Sequence, residues 1–132
     1  MGVNAKDHAT VFLLEEDDET RRPLVQNLRR YGYRVVVAFD EEDAFERVSG
    51  HVPADLVLVN LVGKSTEEAL DIGRRVRAHA KYDGHTPLVV MAERYGEDLE
   101  GTDVNAGGND WITYLEDAEQ LRRLIDRLIE EA

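Results

Sequence analysis

Cysteine is absent from this 132-residue sequence, proline occurs three times, methionine twice and tryptophan once. Without cysteine there is no disulfide framework, no thiolate nucleophile and no thiolate ligand for a metal. The fold must therefore rest on a buried apolar core, and a chain of this length can build one. Long apolar runs are also missing: none approaches the roughly 20 residues that a bilayer-spanning helix needs. The opening "MGVNAKDHAT" lacks the apolar centre of a secretion signal, and Lys6 stands where a myristoylation start wants Ser or Thr.

Positive charge is scarce, with 16 Lys and Arg against 28 Asp and Glu and a net charge of −12. That balance disfavours binding to a nucleic-acid backbone or to an anionic membrane surface. It suits a cytoplasmic domain whose partners are proteins with basic patches.

What is present is an alternation of short strand-like runs and amphipathic helical patterns, without repeats or low-complexity linkers. Residues 1–9 are expected to form a flexible tail and residues 10–132 one domain. "TVFLL" (10–14), "RVVVAF" (34–39), "DLVLVN" (55–60), "PLVVMA" (87–92) and "DWITY" (110–114) read as five strands. A helix capped near Thr20 and ended by Gly32 buries Leu24, Val25, Leu28 and Tyr31, with Pro23 in its first turn. A second, short helix turns Ala44, Phe45 and Val48 inward. A third begins at Thr66, where Glu67 and Glu68 suit a first turn, and buries Ala69, Ile72, Gly73, Val76 and Ala80. The last helix puts Ala118, Leu121, Leu124, Ile125, Leu128 and Ile129 on one face. Between Glu93 and Gly108, glycines at 96, 101, 107 and 108 leave room only for a short or irregular helix.

This alternation predicts an α/β fold, a doubly wound, five-stranded parallel sheet in the order 2-1-3-4-5. In such a sheet ligands sit outside the carboxyl ends of the first and third strands. Those ends carry Glu15, Glu16 and Asn60, while Ala92 and Tyr114 end the fourth and fifth strands.

In order and spacing, "VFLLEEDDETRR", "GYRVVVA", "PADLVLVN", "PLVVMA" and "GGNDWITY" resemble a bacterial response-regulator receiver domain of two-component signalling, over nearly the whole chain. The resemblance implies a flavodoxin-like receiver fold. It also implies a phosphotransfer chemistry in which an Asp at the end of the third strand becomes an acyl phosphate. Two acidic residues after the first strand then help to hold Mg²⁺, and a Ser or Thr and a Lys contact the phosphoryl group.

Position by position, the sequence departs from that pattern. Asn60 stands at the phosphoacceptor, and Glu15 and Glu16 replace an acidic pair that is usually Asp. Ala92 falls at the hydroxyl position, Tyr114 at the Lys position, and Trp111 matches the family's aromatic switch. An amide cannot form an acyl phosphate, and several losses in one crevice describe a degenerate site.

The expected function is therefore that of an atypical, phosphorylation-independent receiver, a protein–protein interaction module in bacterial signal transduction, with no enzymatic activity and no cofactor. Were a divalent ion held, the resemblance assigns Glu16, the Asn60 side-chain oxygen and the Val62 carbonyl as its ligands. Partners would be a kinase, an effector, another receiver or a second copy. The family's usual face for them is its fourth helix, fifth strand and fifth helix, which takes in Trp111, Tyr114, Glu119, Arg122, Arg123 and Arg127.

Two alternatives stay open: a conventional phosphoacceptor receiver seen as an Asn60 variant, and a small-molecule sensor using the emptied crevice. Plainer roles also exist for each residue. Glu15 to Glu19 can be a solvated loop at a helix N-terminus, Asn60 a strand-end cap, Tyr114 a filler of the Lys space and Trp111 core. His8, His51, His79 and His85 show no ligand spacing and are expected on the surface.

Overall fold

A computed structural model describes residues 9–50, 53–61, 63–82 and 85–131. Along the chain the elements are β1 (Thr10–Glu15), α1 (Asp18–Arg30), β2 (Arg34–Ala38), α2 (Glu41–Ser49), β3 (Leu56–Asn60), α3 (Thr66–His79), β4 (Leu88–Ala92), β5 (Arg94–Tyr95), β6 (Glu97–Asp98), β7 (Val104–Gly107), β8 (Asp110–Tyr114) and α4 (Ala118–Glu131). Each expected strand forms within one residue of its predicted limits. Residues 1–8 lie outside the described residues, whereas Ala9, assigned above to the tail, is buried and its carbonyl accepts the Arg34 N–H at 2.9 Å.

Short polar residues set the helix starts. Asp17, Asp40 and Ser65 cap α1, α2 and α3, and Ser65 completes a reciprocal capping box with Glu68. Asp17 caps α1 three residues before the expected Thr20, whose hydroxyl donates to it at 3.1 Å. Pro23 therefore lies in the second turn, where it withholds a donor from the exposed carbonyl of Glu19.

The strands assemble in the order β2-β1-β3-β4-β8-β7. The first five are parallel and have the predicted neighbours. Helices α2 and α3 cover one face of the sheet, over Phe12, Leu14, Val57, Val59, Leu88, Val90 and Ile112. Helices α1 and α4 cover the other, over Val11, Leu13, Leu56, Leu58 and Val89. Continuous apolar strands are thus buried on both faces, as a parallel sheet requires. Gly73 allows α3 to approach β4 closely, because a Cβ there would lie 2.5 Å from Leu88 Cδ1. Among the described residues no helix is long and apolar enough to cross a membrane.

The five-stranded expectation is corrected at one edge. Instead of a helix, the chain after β4 makes a two-stranded hairpin, β5–β6, and then β7, which pairs antiparallel with β8 as a sixth strand. Glycine explains the change. Gly107 and Gly108 have φ of +114° and +55°, left-handed conformations that reverse the chain tightly against β8.

Two polar clusters fix this edge. The Asp110 carboxylate, with 7% of its side chain exposed, meets Arg74 Nε at 2.7 Å and Arg77 Nη1 at 2.6 Å, and Arg74 also donates to the Ala106 carbonyl at 3.3 Å. Buried Gln120 donates to the Leu99 carbonyl and to Asp103 Oδ1, each at 2.9 Å, and accepts the Gly101 N–H at 2.8 Å. Asp103 Oδ1 also accepts the hydroxyl of buried Thr113 at 2.6 Å.

Candidate functional site

Parallel pairing of β1 with β3 sets Glu15 beside Asn60 at the carboxyl ends of both strands. The Asn60 side-chain amide donates to Glu15 Oε1 at 3.2 Å, while Glu15 Oε2 is buried with no hydrogen-bond partner. Burial first, and the nearby Asp17 carboxylate second, push the Glu15 pKa up to about 7. An unpartnered buried oxygen is where the proton of a neutral carboxyl would sit.

The acidic run does not act as one cluster. Glu16 is exposed, Asp17 caps α1, and Asp18 is ion-paired with Arg21. The Arg21 guanidinium also donates to the Glu15 carbonyl at 3.0 Å and lies 4.5 Å over the Phe39 ring.

Ala92 ends β4 in register with Tyr114 at the end of β8, and its carbonyl accepts the Leu115 N–H at 3.0 Å. Leu115, not Tyr114, borders the main crevice. That crevice is about 550 Å³ and is lined by Asn60, Lys64, Ser65, Thr66, Ala92, Arg94 and neighbouring residues. Tyr114 instead faces a second hollow with Glu93, Arg94 and Asp98, and its hydroxyl donates to Glu116 at 2.9 Å. That bond is the main reason its pKa is pushed up to about 12. Tyr114 does not line the main crevice.

Trp111 pairs with Val89, one residue before the crevice-lining Val90, and packs on the α1–α4 side of the sheet with Arg127 5.0 Å from its ring. Tyr114 packs with the cluster on the α2–α3 side. Strand periodicity separates the two residues, which are three apart and point to opposite faces. The expected interaction face is thus divided, and its helical first member is replaced by β7.

On α4, Glu119, Arg123 and Arg127 are exposed. Arg122 stacks 4.8 Å over Tyr31 and stands 3.8 Å from both Glu119 and Asp126.

Of the histidines, His8 and His51 lie outside the described residues, and His79 and His85 are exposed. His79 Nε2 lies 2.9 Å from Ser49 Oγ, and its ring meets Phe45 edge-on at 5.3 Å, which ties α3 to α2.

Of the donors suggested for a divalent ion, Val62 lies outside the described residues, Glu16 is exposed, and Asn60 donates to Glu15 through its nitrogen, a bond in which its side-chain oxygen takes no part. Among the described residues no three His, Asp or Glu side chains converge as a metal site. A hard cation needs six or more oxygens. The Glu15 carbonyl accepts the Arg21 guanidinium.

Several of the residues that build this end and the β7 edge were not picked out from the sequence: Arg21, Arg74, Arg77, Asp103, Asp110, Thr113 and Gln120. Only Arg21 leaves a local signal, as a cation one helical turn after an acidic cap. The others find partners 10 to 36 positions away.

No family model and no curated protein matches the sequence. Solved structures do match. A response regulator from Thermotoga maritima superposes with a TM-score of 0.67 at 24% identity, over 95% of this chain and 99% of its own. A response regulator receiver protein from Sinorhizobium medicae gives 0.70 at 15% identity, over 92% and 94%. The chemotaxis protein CheY4 of Vibrio cholerae gives 0.67 at 17% identity, over 92% and 98%. The fold is that of receiver domains.

Proposed function

We propose that the chain is an atypical receiver domain of bacterial two-component signalling that works in the cytoplasm as a protein–protein interaction module, without being phosphorylated. The observation that carries this reading is Asn60. It stands where a receiver has its carboxylate nucleophile, and its amide is engaged by the neighbouring Glu15 at 3.2 Å. The other groups of the chemistry are missing around it: Ala92 offers no hydroxyl, and Tyr114 turns away to Glu116. Partners are a kinase, an effector or another receiver, and the exposed Glu119, Arg123 and Arg127 of α4 can select among them by charge.

Incubation with acetyl phosphate and Mg²⁺, read by intact mass, tests this reading. The native chain is expected to stay unmodified, and so is Asn60→Asp, because Ala92 brings no hydroxyl and Tyr114 no ammonium to the positions from which a receiver binds the phosphoryl group. A phosphoryl adduct on the native chain would establish a conventional receiver instead.

The crevice between Lys64 and Arg94 favours one second reading, a sensor of a small polar metabolite. Trp111 does not line the crevice, so calorimetry on the native chain and an Arg94→Ala variant is the more direct measurement. Saturable binding lost in the variant supports the sensor.

A further inference from the structure

We infer that Arg21 is the resident counter-ion of the acidic loop 15–19, supplying from within the chain the positive charge that a divalent ion would otherwise bring. Parallel pairing of β1 and β2 gathers two acidic loops, 15–19 and 40–43, at one end of the molecule, and the second has its own cations, Arg47 on Asp43 at 3.1 Å and Arg75 on Glu41 at 2.9 Å. Such a rim repels itself unless a cation is placed in it.

Arg21 is so placed, and it is fixed in three ways. Its Nη1 donates to the Glu15 carbonyl at 3.0 Å, its Nη2 pairs with the Asp18 carboxylate, and its Cζ lies 4.5 Å over the Phe39 ring. Only 17% of its side chain is exposed. A guanidinium cannot lose its proton, so it is buried only where acceptors and a ring replace its water.

Phe39 is itself 51% exposed, so its place over Arg21 depends on something that holds it there. Asp43 does so: one carboxylate oxygen accepts the Phe39 N–H at 2.9 Å and Arg47 Nε at 3.1 Å, and Arg47 Cζ lies 5.8 Å from the centre of the Phe39 ring. The first of these bonds is the main reason the Asp43 pKa is lowered. Asp43 therefore fixes the aromatic ring that covers Arg21. Nothing in this arrangement requires a metal, and the guanidinium repels one from the oxygens it uses.

Thermal unfolding in MgCl₂ against NaCl of matched ionic strength tests the inference. The native chain is expected to melt at the same temperature in both salts. Arg21→Gln is expected to melt lower in NaCl and to recover about 5 °C in MgCl₂ at ten times its dissociation constant. Exposed Arg22→Gln should behave as native.

If Arg21→Gln does not fold, Arg21→Lys keeps the charge and is expected to remain indifferent to Mg²⁺. Amide line-broadening by Mn²⁺ then reads the rim directly at 20–25 °C. Broadening of the Glu15 to Glu19 amides in the native chain, a magnesium-dependent melting temperature in the native chain, or a folded Arg21→Gln as indifferent as native would each overturn the inference. The titration uses no phosphodonor, so its outcome is separate from that of the acetyl phosphate experiment.

Discussion

Asn60 donates a hydrogen bond to Glu15, Nδ2 to Oε1 at 3.2 Å, between residues that the β1–β3 register holds side by side. The amide satisfies one oxygen of a buried carboxyl without adding charge. An Asp at position 60 would remove the donor and set a second carboxylate against the first. Asn60→Asp is therefore expected to lower stability by about 1–3 kcal/mol at pH 8 and by less at pH 5, where one proton can be shared. Urea unfolding at the two pH values checks this, and Glu15→Gln in the same chain should restore the loss. Equal stability of Asn60→Asp and native at pH 8 would contradict it.

Glu15 itself makes stability depend on pH. Folded, its pKa is near 7, and unfolded it is near 4.5. The folded chain therefore holds a proton that the unfolded chain releases between those values. The contribution of Glu15 is complete below about pH 4.5, is lost as pH rises through about 7, and is constant above. Glu15→Gln keeps the acceptor for Asn60 and removes the titration. Relative to native it is expected to gain stability from pH 5 to pH 8, reaching on the order of 1–2 kcal/mol once the shift is discounted for solvent screening at the rim. A difference between variant and native that does not change with pH would show Glu15 to be ionised throughout.

The sequence reports elements whose reason is local and misses those whose reason is a distant partner. "DLVLVN" and "DWITY" form strands almost at their predicted limits because apolar continuity alone requires a two-sided buried strand. The pattern also places Asn60 at a carboxyl end, and the β1–β3 register then brings it to Glu15. By contrast, the glycines of 93–108 say that a helix is disfavoured without saying what replaces it. The antiparallel β7 depends on contacts such as that of Arg74 with Asp110, 36 positions apart. The same limit explains Trp111 and Tyr114. A family face groups them, whereas the two-residue period of β8 sends them to opposite sides of the sheet.

Asp110 is the test of the β7 edge. Two guanidiniums depend on it, and with 7% of its side chain exposed it cannot be replaced there by water. Asp110→Ala leaves Arg74 and Arg77 with only the Ala106 and Thr86 carbonyls to accept from them and is expected to cost about 1–3 kcal/mol. Asp110→Asn, which can still accept from Arg74, should cost less. Chemical denaturation gives the two values, and a loss below about 0.5 kcal/mol for the alanine variant would show that the cluster does not hold the edge.

Gln120 anchors the segment that stands where a helix was expected. One side-chain amide satisfies the Leu99 carbonyl, the Asp103 carboxylate and the Gly101 N–H. Gln120→Ala would take a partner from all three, of which the Asp103 carboxylate keeps the Thr113 hydroxyl, at an expected cost of about 1–3 kcal/mol. Gln120→Glu keeps the shape and loses the donor, and it adds a carboxylate beside Asp103. Its deficit is expected to match that of alanine at pH 5 and to exceed it at pH 8. Amide hydrogen exchange localises the effect: faster exchange should appear from Leu99 to Gly107 and leave β1 and β3 unchanged, because the network touches only the β7 edge. If exchange accelerated equally across the sheet, Gln120 would be a support of the whole core and not the specific tie that holds this edge in place.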